Sequence, residues 1–337
     1  MWLKKLPKIE LHCHLDGSIP ISVLKKLCLL GDIAIPQNDI EFRKLIEAKE
    51  DCESLTEYLQ AFALPLKCLK TEDAFFIASY ETVAKAAQEG TRYLELRFAP
   101  LLSETKDLPA EKIIEAAIAG LQKATKEYHM DAGFILCGMR HFHEKQNMRT
   151  LDLAKKYLQR GVCGLDLAGD ESAFPNEQFA TYFQKAIQYD VPFTIHAGEC
   201  GRSENIKLAV QYGAKRIGHG IAMRQNTSLQ NAVIRHGVGV EMCPSSNMQT
   251  KAVSSWENYP FREFLEQGVL ISINTDNRTV TNTTMTKELQ LLQKQFHLTC
   301  QEAGTLMKQA LTTSFAEEST KKEIQKEILA WEKAYIS

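Results

Sequence analysis

Eight short β-rich runs recur along the chain, and helical stretches separate them. They are "KIELHCH" (8–14), "RYLELRF" (92–98), "AGFILCGM" (132–139), "GVCGLDLA" (161–168), "VPFTIHA" (191–197), "RIGHGI" (216–221), "GVGVEMC" (237–243) and "GVLISIN" (268–274). Helical patterns such as "EKIIEAAIAGLQKATKEY" and "NEQFATYFQKAIQYD" fill the intervals. Strands that alternate with helices make right-handed β-α-β units and a parallel sheet. Eight such units predict an α/β fold of the closed (β/α)8 TIM-barrel kind. Length alone would suggest two domains, but a barrel takes 337 residues as one, so a single domain over 1–337 is expected. Residues 20–70 exceed one crossover helix and predict extra helices after strand one, shading the barrel mouth. A helix over 71–90 is expected, with Thr71 as N-cap and Gly90 at its end. Three further helical segments follow strand eight. The last carries a capping-box pattern, Thr320 to Glu323, and a core face of Ile324, Ile328 and Trp331.

Composition removes several function classes. The net charge is -2, so a nucleic-acid partner is not expected. No run of about 18 apolar residues occurs, so no membrane span is expected. The first residues, "MWLKKLP", lack a signal-peptide core. Nine cysteines without a C-x-x-C pair do not make a disulfide framework or a zinc ribbon, and a reducing cytoplasm is the expected location.

Chemistry-bearing residues gather at the strand ends. In a parallel barrel all strand C-termini face one mouth, where active sites sit. His12 and His14 end strand one on a common face, because strand side chains alternate with a period of two. His196 ends strand five, His219 strand six and Asp276 strand eight. Any one of them is an ordinary polar residue. Five at the ends of four strands point to a metal site, for which imidazoles and one carboxylate suit zinc, and also iron, manganese or cobalt. Glu199, in "HAGE", follows an Ala-Gly pair that leaves its carboxylate room to turn toward the mouth and shuttle protons; on its own it reads equally as a first-turn glutamate that favours a helix dipole. Gly218 and Gly220 permit close approach or an unusual φ beside His219. Gly169 reads either as a bare backbone N–H at the mouth that meets a ligand or as part of a plain strand-to-helix turn with Asp170 as cap. Cys13, Cys200 and Cys243 are expected as buried free thiols, and Glu95 and Arg97 as a buried structural ion pair.

"ELHCHLDGS", "GLDLAGDE", "FTIHAGE", "RIGHGI", "EMCPSSN" and "SINTDN" together resemble the adenosine deaminase family of the amidohydrolase superfamily, from strand one to strand eight. The resemblance implies one zinc ion per chain on His12, His14, His196 and Asp276. It implies Glu199 as the acid that protonates purine N1, and His219 as the residue that orients the attacking water alongside Asp276. Gly169 would meet purine N3, Asp16 the ribose 5′-hydroxyl, and Asn277 purine N7, with His14 also facing substrate. Adenosine and 2′-deoxyadenosine are the implied small-molecule substrates. Asn277 stands where the animal pattern has a second aspartate. An amide always donates, whereas a carboxyl donates only when protonated, so the change suits N7.

Adenine deaminase is the nearest alternative, and its usual glutamate in place of Asp16 sets it apart. AMP would need a phosphate clamp, and the mouth motifs hold no basic cluster. A two-metal amidase or phosphotriesterase would carry a bridging lysine on strand four, which "GVCGLDLA" lacks. An inactive nucleoside-binding barrel would have lost a ligand or Glu199, and both are present.

Overall fold

Side-chain alternation in the first half of the chain sorts two interiors from one another. The computed structural model describes residues 2–49, 52, 54–200 and 202–336. In β1 (Lys8–His14), Ile9, Leu11 and Cys13 pack in the core, while Glu10 and His12 take the opposite face and are equally buried. In β2 (Thr91–Phe98), Leu94 and Leu96 join the core while Glu95 and Arg97 take the other face. A strand buried on both faces belongs in a helix-covered parallel sheet.

β3 (Asp131–Met139) and β4 (Val162–Ala168) complete a parallel set ordered β1-β2-β3-β4. β5 (Thr194–Ala197), β6 (Arg216–His219), β7 (Gly239–Met242) and β8 (Ile271–Ile273) form a second parallel set in sequence order. The Leu165 N–H donates to the Pro192 carbonyl at 2.9 Å and joins β4 to β5. The His14 N–H donates to the Asp276 carbonyl at 2.7 Å, and the Asp276 N–H to the His12 carbonyl at 3.0 Å. Those bonds close the ring between strand eight and strand one, so the expected (β/α)8 barrel forms.

The last four strands are shorter than the apolar runs suggest, for local reasons. Pro192 has no N–H to give a ladder, so pairing in the fifth run becomes regular only from Thr194. Gly237 and Gly268, which open the seventh and eighth runs, sit at φ +62° and +84° and end the preceding helices. Gly220, at φ +67°, turns the chain away after β6.

The helix Glu72–Gln88 begins as expected, with the Thr71 side chain accepting from the Ala74 N–H, and Gly90 follows at φ +87°. Residues 20–70 form short helices (Ile21–Leu30, Asp39–Arg43, Leu55–Tyr58 and Ala63–Cys68) and a 3-10 turn, Leu59–Phe62. After strand eight come Met285–Phe296, Cys300–Thr313 and Glu318–Tyr335. Thr320 is not the cap of the last helix. That helix starts at Glu318, and the Thr320 hydroxyl donates to Asp131 at 2.8 Å. Its face of Ile324, Ile328 and Trp331 is buried as expected. Among the described residues no helix is long and apolar enough to cross a membrane.

Candidate active site

Strand pairing brings the separated motifs to one point. His196 lies in register with Gly218, and Ala197 with His219, which sets the ends of β5 and β6 side by side. Gly218 leaves room for close approach there, because a Cβ would stand 3.1 Å from the His12 ring and 3.3 Å from the His196 Cα. His219 and Asp276 both hold left-handed backbone, at φ +67° and +61°. Non-glycine residues adopt that conformation at a cost, and it recurs where a side chain must be aimed.

His12, His14, His196 and Asp276 converge with their ligating atoms within 4.8 Å of one another. His14 Nε2 is 3.2 Å from His196 Nε2, and Asp276 Oδ1 is 3.2 Å from His12 Nε2 and 3.4 Å from His14 Nε2. Ligands bonded at about 2.1 Å around one tetrahedral ion stand about 3.4 Å apart. His12 Nε2 is buried without a hydrogen-bond partner. Its other nitrogen, Nδ1, meets Glu241 at 2.8 Å, and His196 Nδ1 meets Asp166 at 2.9 Å. Carboxylates behind two imidazoles fix their tautomers and leave both Nε2 lone pairs facing inward. The Ser246 hydroxyl donates to Asp276 Oδ2 at 2.6 Å and leaves Oδ1 for the same point. These residues fit one divalent cation.

Beneath this cluster runs a buried chain of alternating charge. Glu95 pairs with Arg216. Arg216 Nε reaches Glu241 at 2.6 Å, and Arg97 bridges Glu241 and Asp166 at 3.0 Å each. Glu95 and Arg97 therefore share a face, as expected, but do not pair with one another. In-phase neighbours on one strand point side by side, and each finds its partner across the barrel. Three carboxylates against two guanidiniums leave the chain one negative charge in excess, below a cation site. Burial alone would raise the Glu241 carboxyl, but Arg97 and Arg216 outweigh it and hold it well below the usual range. Sequence reasoning missed Asp166 and Glu241. Their signal was a charged residue in the middle of an apolar strand.

Above the cluster opens a cavity with mostly apolar walls. Ala99, Cys137, Met139, Ala168 and Phe174 come from the barrel loops and strand ends, and Leu55, Tyr58, Leu59 and Phe62 from the covering segment. His14, His141, Gly169, Asp170, His196, Glu199, His219, Asp276 and Asn277 supply its polar lining. Burial, with the charges of Asp276 and Glu171 beside it, pushes the Glu199 carboxyl up to about 8. Burial, aided by the His12 ring, holds His219 well below the usual imidazole range. His219 Nε2 is 3.6 Å from Glu199, and its Nδ1 is 2.9 Å from the Asn247 amide. A neutral acid and a neutral imidazole beside a cation site can divide the proton traffic of a hydrolysis.

Gly169 lines the cavity at φ +106°. Asp170 caps a turn at Ser172 and Ala173 instead of a helix. Asp16 does not line this cavity. One of its oxygens is buried without a partner, and burial raises its carboxyl to about 6. The Asn277 amide, expected to face a purine, donates to the Tyr58 hydroxyl at 2.9 Å, and that hydroxyl contacts Thr281 at 2.7 Å. Cys13 and Cys243 are buried thiols as expected, whereas Cys200 is partly exposed. Cys243 lies near His219 and Asp276, but burial pushes its thiol up and it contacts the Glu241 carbonyl, so it does not present a thiolate.

A parallel barrel with a candidate metal cluster and a raised carboxyl at its mouth has the make-up of a metal-dependent hydrolase, and its relatives narrow this to one that acts on a C–N bond. The chain belongs to the adenosine deaminase family, whose model matches residues 7–331. It is 39% identical to an adenosine deaminase of Enterococcus faecalis over 334 residues, covering 99% of this chain and 98% of that one. It is 38% identical to an adenosine deaminase of Streptococcus mutans over 99% of this chain and 95% of the relative. Among solved structures, the Arabidopsis ADAL protein complexed with IMP superposes with a TM-score of 0.87 at 25% identity, over 99% of each chain. An adenine deaminase of Arthrobacter aurescens shares the fold, with a TM-score of 0.88 at 24% identity over 97% of this chain and 99% of that one.

Proposed function

We propose that this chain, working as a single barrel domain over 1–337, converts adenosine and 2′-deoxyadenosine to inosine and 2′-deoxyinosine with release of ammonia. The convergence of His12, His14, His196 and Asp276 beside the raised Glu199 carboxyl, in a family member, carries the reading. One zinc ion per chain would sit on those four residues, and when bound it supplies a water-derived nucleophile at neutral pH.

The chain's own residues do the rest. Glu199, neutral near pH 7, gives its proton to purine N1 and draws electron density from C6. His219 orients the attacking water, with Asp276 accepting a hydrogen bond from it. Water adds at C6, a proton passes to the exocyclic amine, and ammonia leaves, so adenosine and water balance inosine and ammonia. The apolar walls hold the ring flat and exclude bulk water, which strengthens each electrostatic contact inside. The Gly169 N–H would meet N3, Asn277 would meet N7, and His14 would flank the substrate. Asp16 would take the ribose 5′-hydroxyl, as the family resemblance implies. Described cysteines that are all free accord with a reducing cytoplasm.

An ultraviolet assay of the zinc-loaded protein with adenosine and adenine at matched concentration tests the reading. A fast spectral shift with adenosine and almost none with adenine is expected. A shift with adenine alone would overturn the nucleoside assignment and the role given to Asp16.

A further inference from the structure

We infer that Glu171 is a positioning residue for Glu199: its carboxylate clamps the backbone on both sides of the proton donor and so aims that side chain into the cavity. Glu171 is almost completely buried, yet it does not line the cavity. Its Oε2 accepts from the Gly198 N–H at 2.8 Å and its Oε1 from the Cys200 N–H at 2.7 Å. Glu199 is the residue between those two amides. A third donor, Asn205 Nδ2, holds Oε2 at 2.7 Å.

The turn is anchored from its other side too. The Ala222 N–H donates to the Gly198 carbonyl at 2.9 Å, and the Gly220 N–H to the Ala197 carbonyl at 3.1 Å. Arg140 Nη2 donates to the His196 carbonyl at 2.6 Å and to Asn176 at 2.7 Å, and Asn176 is tied in turn to Asn205. Arg140 thus secures the His196 end of the segment, and among the described residues Glu171 is the acceptor for both amides that flank Glu199. Gly198 lies at φ +77°, a conformation glycine adopts without steric cost, and a Cβ there would collide with the Ile206 side chain. Buried backbone N–H groups require an acceptor, and no strand offers one beyond Ala197. A carboxylate with two oxygens can satisfy both amides, whereas a glutamine in the same place would set its own N–H against one of them.

The inference rests on the assignment of Glu199 as proton donor, and a double-mutant cycle separates the two. Steady-state deamination of adenosine would be measured for wild type, Glu171→Gln, Glu199→Gln and the double variant, each zinc-loaded. Glu171→Gln is expected to lower kcat about 10- to 100-fold, the size of effect that misplacing a catalytic group produces. KM should stay within about twofold, since Glu171 touches no part of the cavity. In the Glu199→Gln background the same change should alter kcat by less than about twofold, because the group that it aims is already gone. Equal losses in both backgrounds, or an unchanged kcat in Glu171→Gln alone, would overturn the clamp. A Glu199→Gln variant with wild-type kcat would instead overturn the donor assignment. If Glu171→Gln fails to fold, Glu171→Asp, a carboxylate one methylene short, goes through the same cycle with the same expectations.

Discussion

Glu241→Gln changes one atom in the buried charge chain, and two separate losses follow from it. Glu241 contacts four groups: His12 Nδ1 at 2.8 Å, Arg97 at 3.0 Å, Arg216 at 2.6 Å and the Thr194 hydroxyl at 2.9 Å. Glutamine keeps the volume and one acceptor, but it leaves two guanidiniums short of a buried partner. Removing one member of a buried ion pair costs roughly 3–5 kcal/mol, and the isosteric change belongs at the lower end, about 3 kcal/mol. Unfolding entropy of about 2.1 cal/mol/K per residue gives about 0.7 kcal/mol/K for this chain, so the apoprotein should lose about 4 °C in Tm. The second loss is at the metal. Without its carboxylate partner the His12 ring is less basic and freer to turn, and zinc affinity should fall about 10- to 100-fold. Scanning calorimetry of the apoprotein reads the first loss, and competition with a chromophoric chelator reads the second. A variant that binds zinc within twofold of wild type would refute the claim that Glu241 orients a ligand.

Two further predictions use other parts of the site. Because burial raises Glu199 and its protonated form is the active one, activity should hold through neutral pH and decline as pH rises toward 8; kcat/KM followed from pH 5 to 10 checks this, and a flat alkaline side up to pH 10 contradicts it. Tyr58→Phe removes the hydroxyl that holds the Asn277 amide, so KM for adenosine should rise about threefold to tenfold, the worth of about one hydrogen bond. An unchanged KM would show that Asn277 does not depend on Tyr58.

Much of the site was legible in the sequence because its chemistry is local. "HCH" places two imidazoles on one face by strand periodicity alone, and each remaining ligand ends its own β-rich run. The short covering helices followed from the length of residues 20–70. Strand ends were less legible, because proline and helix-ending glycines stop pairing inside runs that are apolar throughout. The start of the last helix was also hidden, since Thr320 has a long-range partner in Asp131. Glu95 and Arg97 show the limit most clearly. Periodicity put both on one face, but could not assign their partners on strands four, six and seven.

By itself, then, the sequence determined the strand count and the residue types that gather at the strand ends, because residue type and period two are properties of neighbours along the chain. Only the tertiary structure decided that Glu241 backs His12, that Asp166 backs His196, and that Glu171 grips the turn around Glu199. The first pairing joins β7 to β1 across 229 positions and needs the closed ring, whereas the other two, 30 and 27 positions apart, need β4 and β5 side by side.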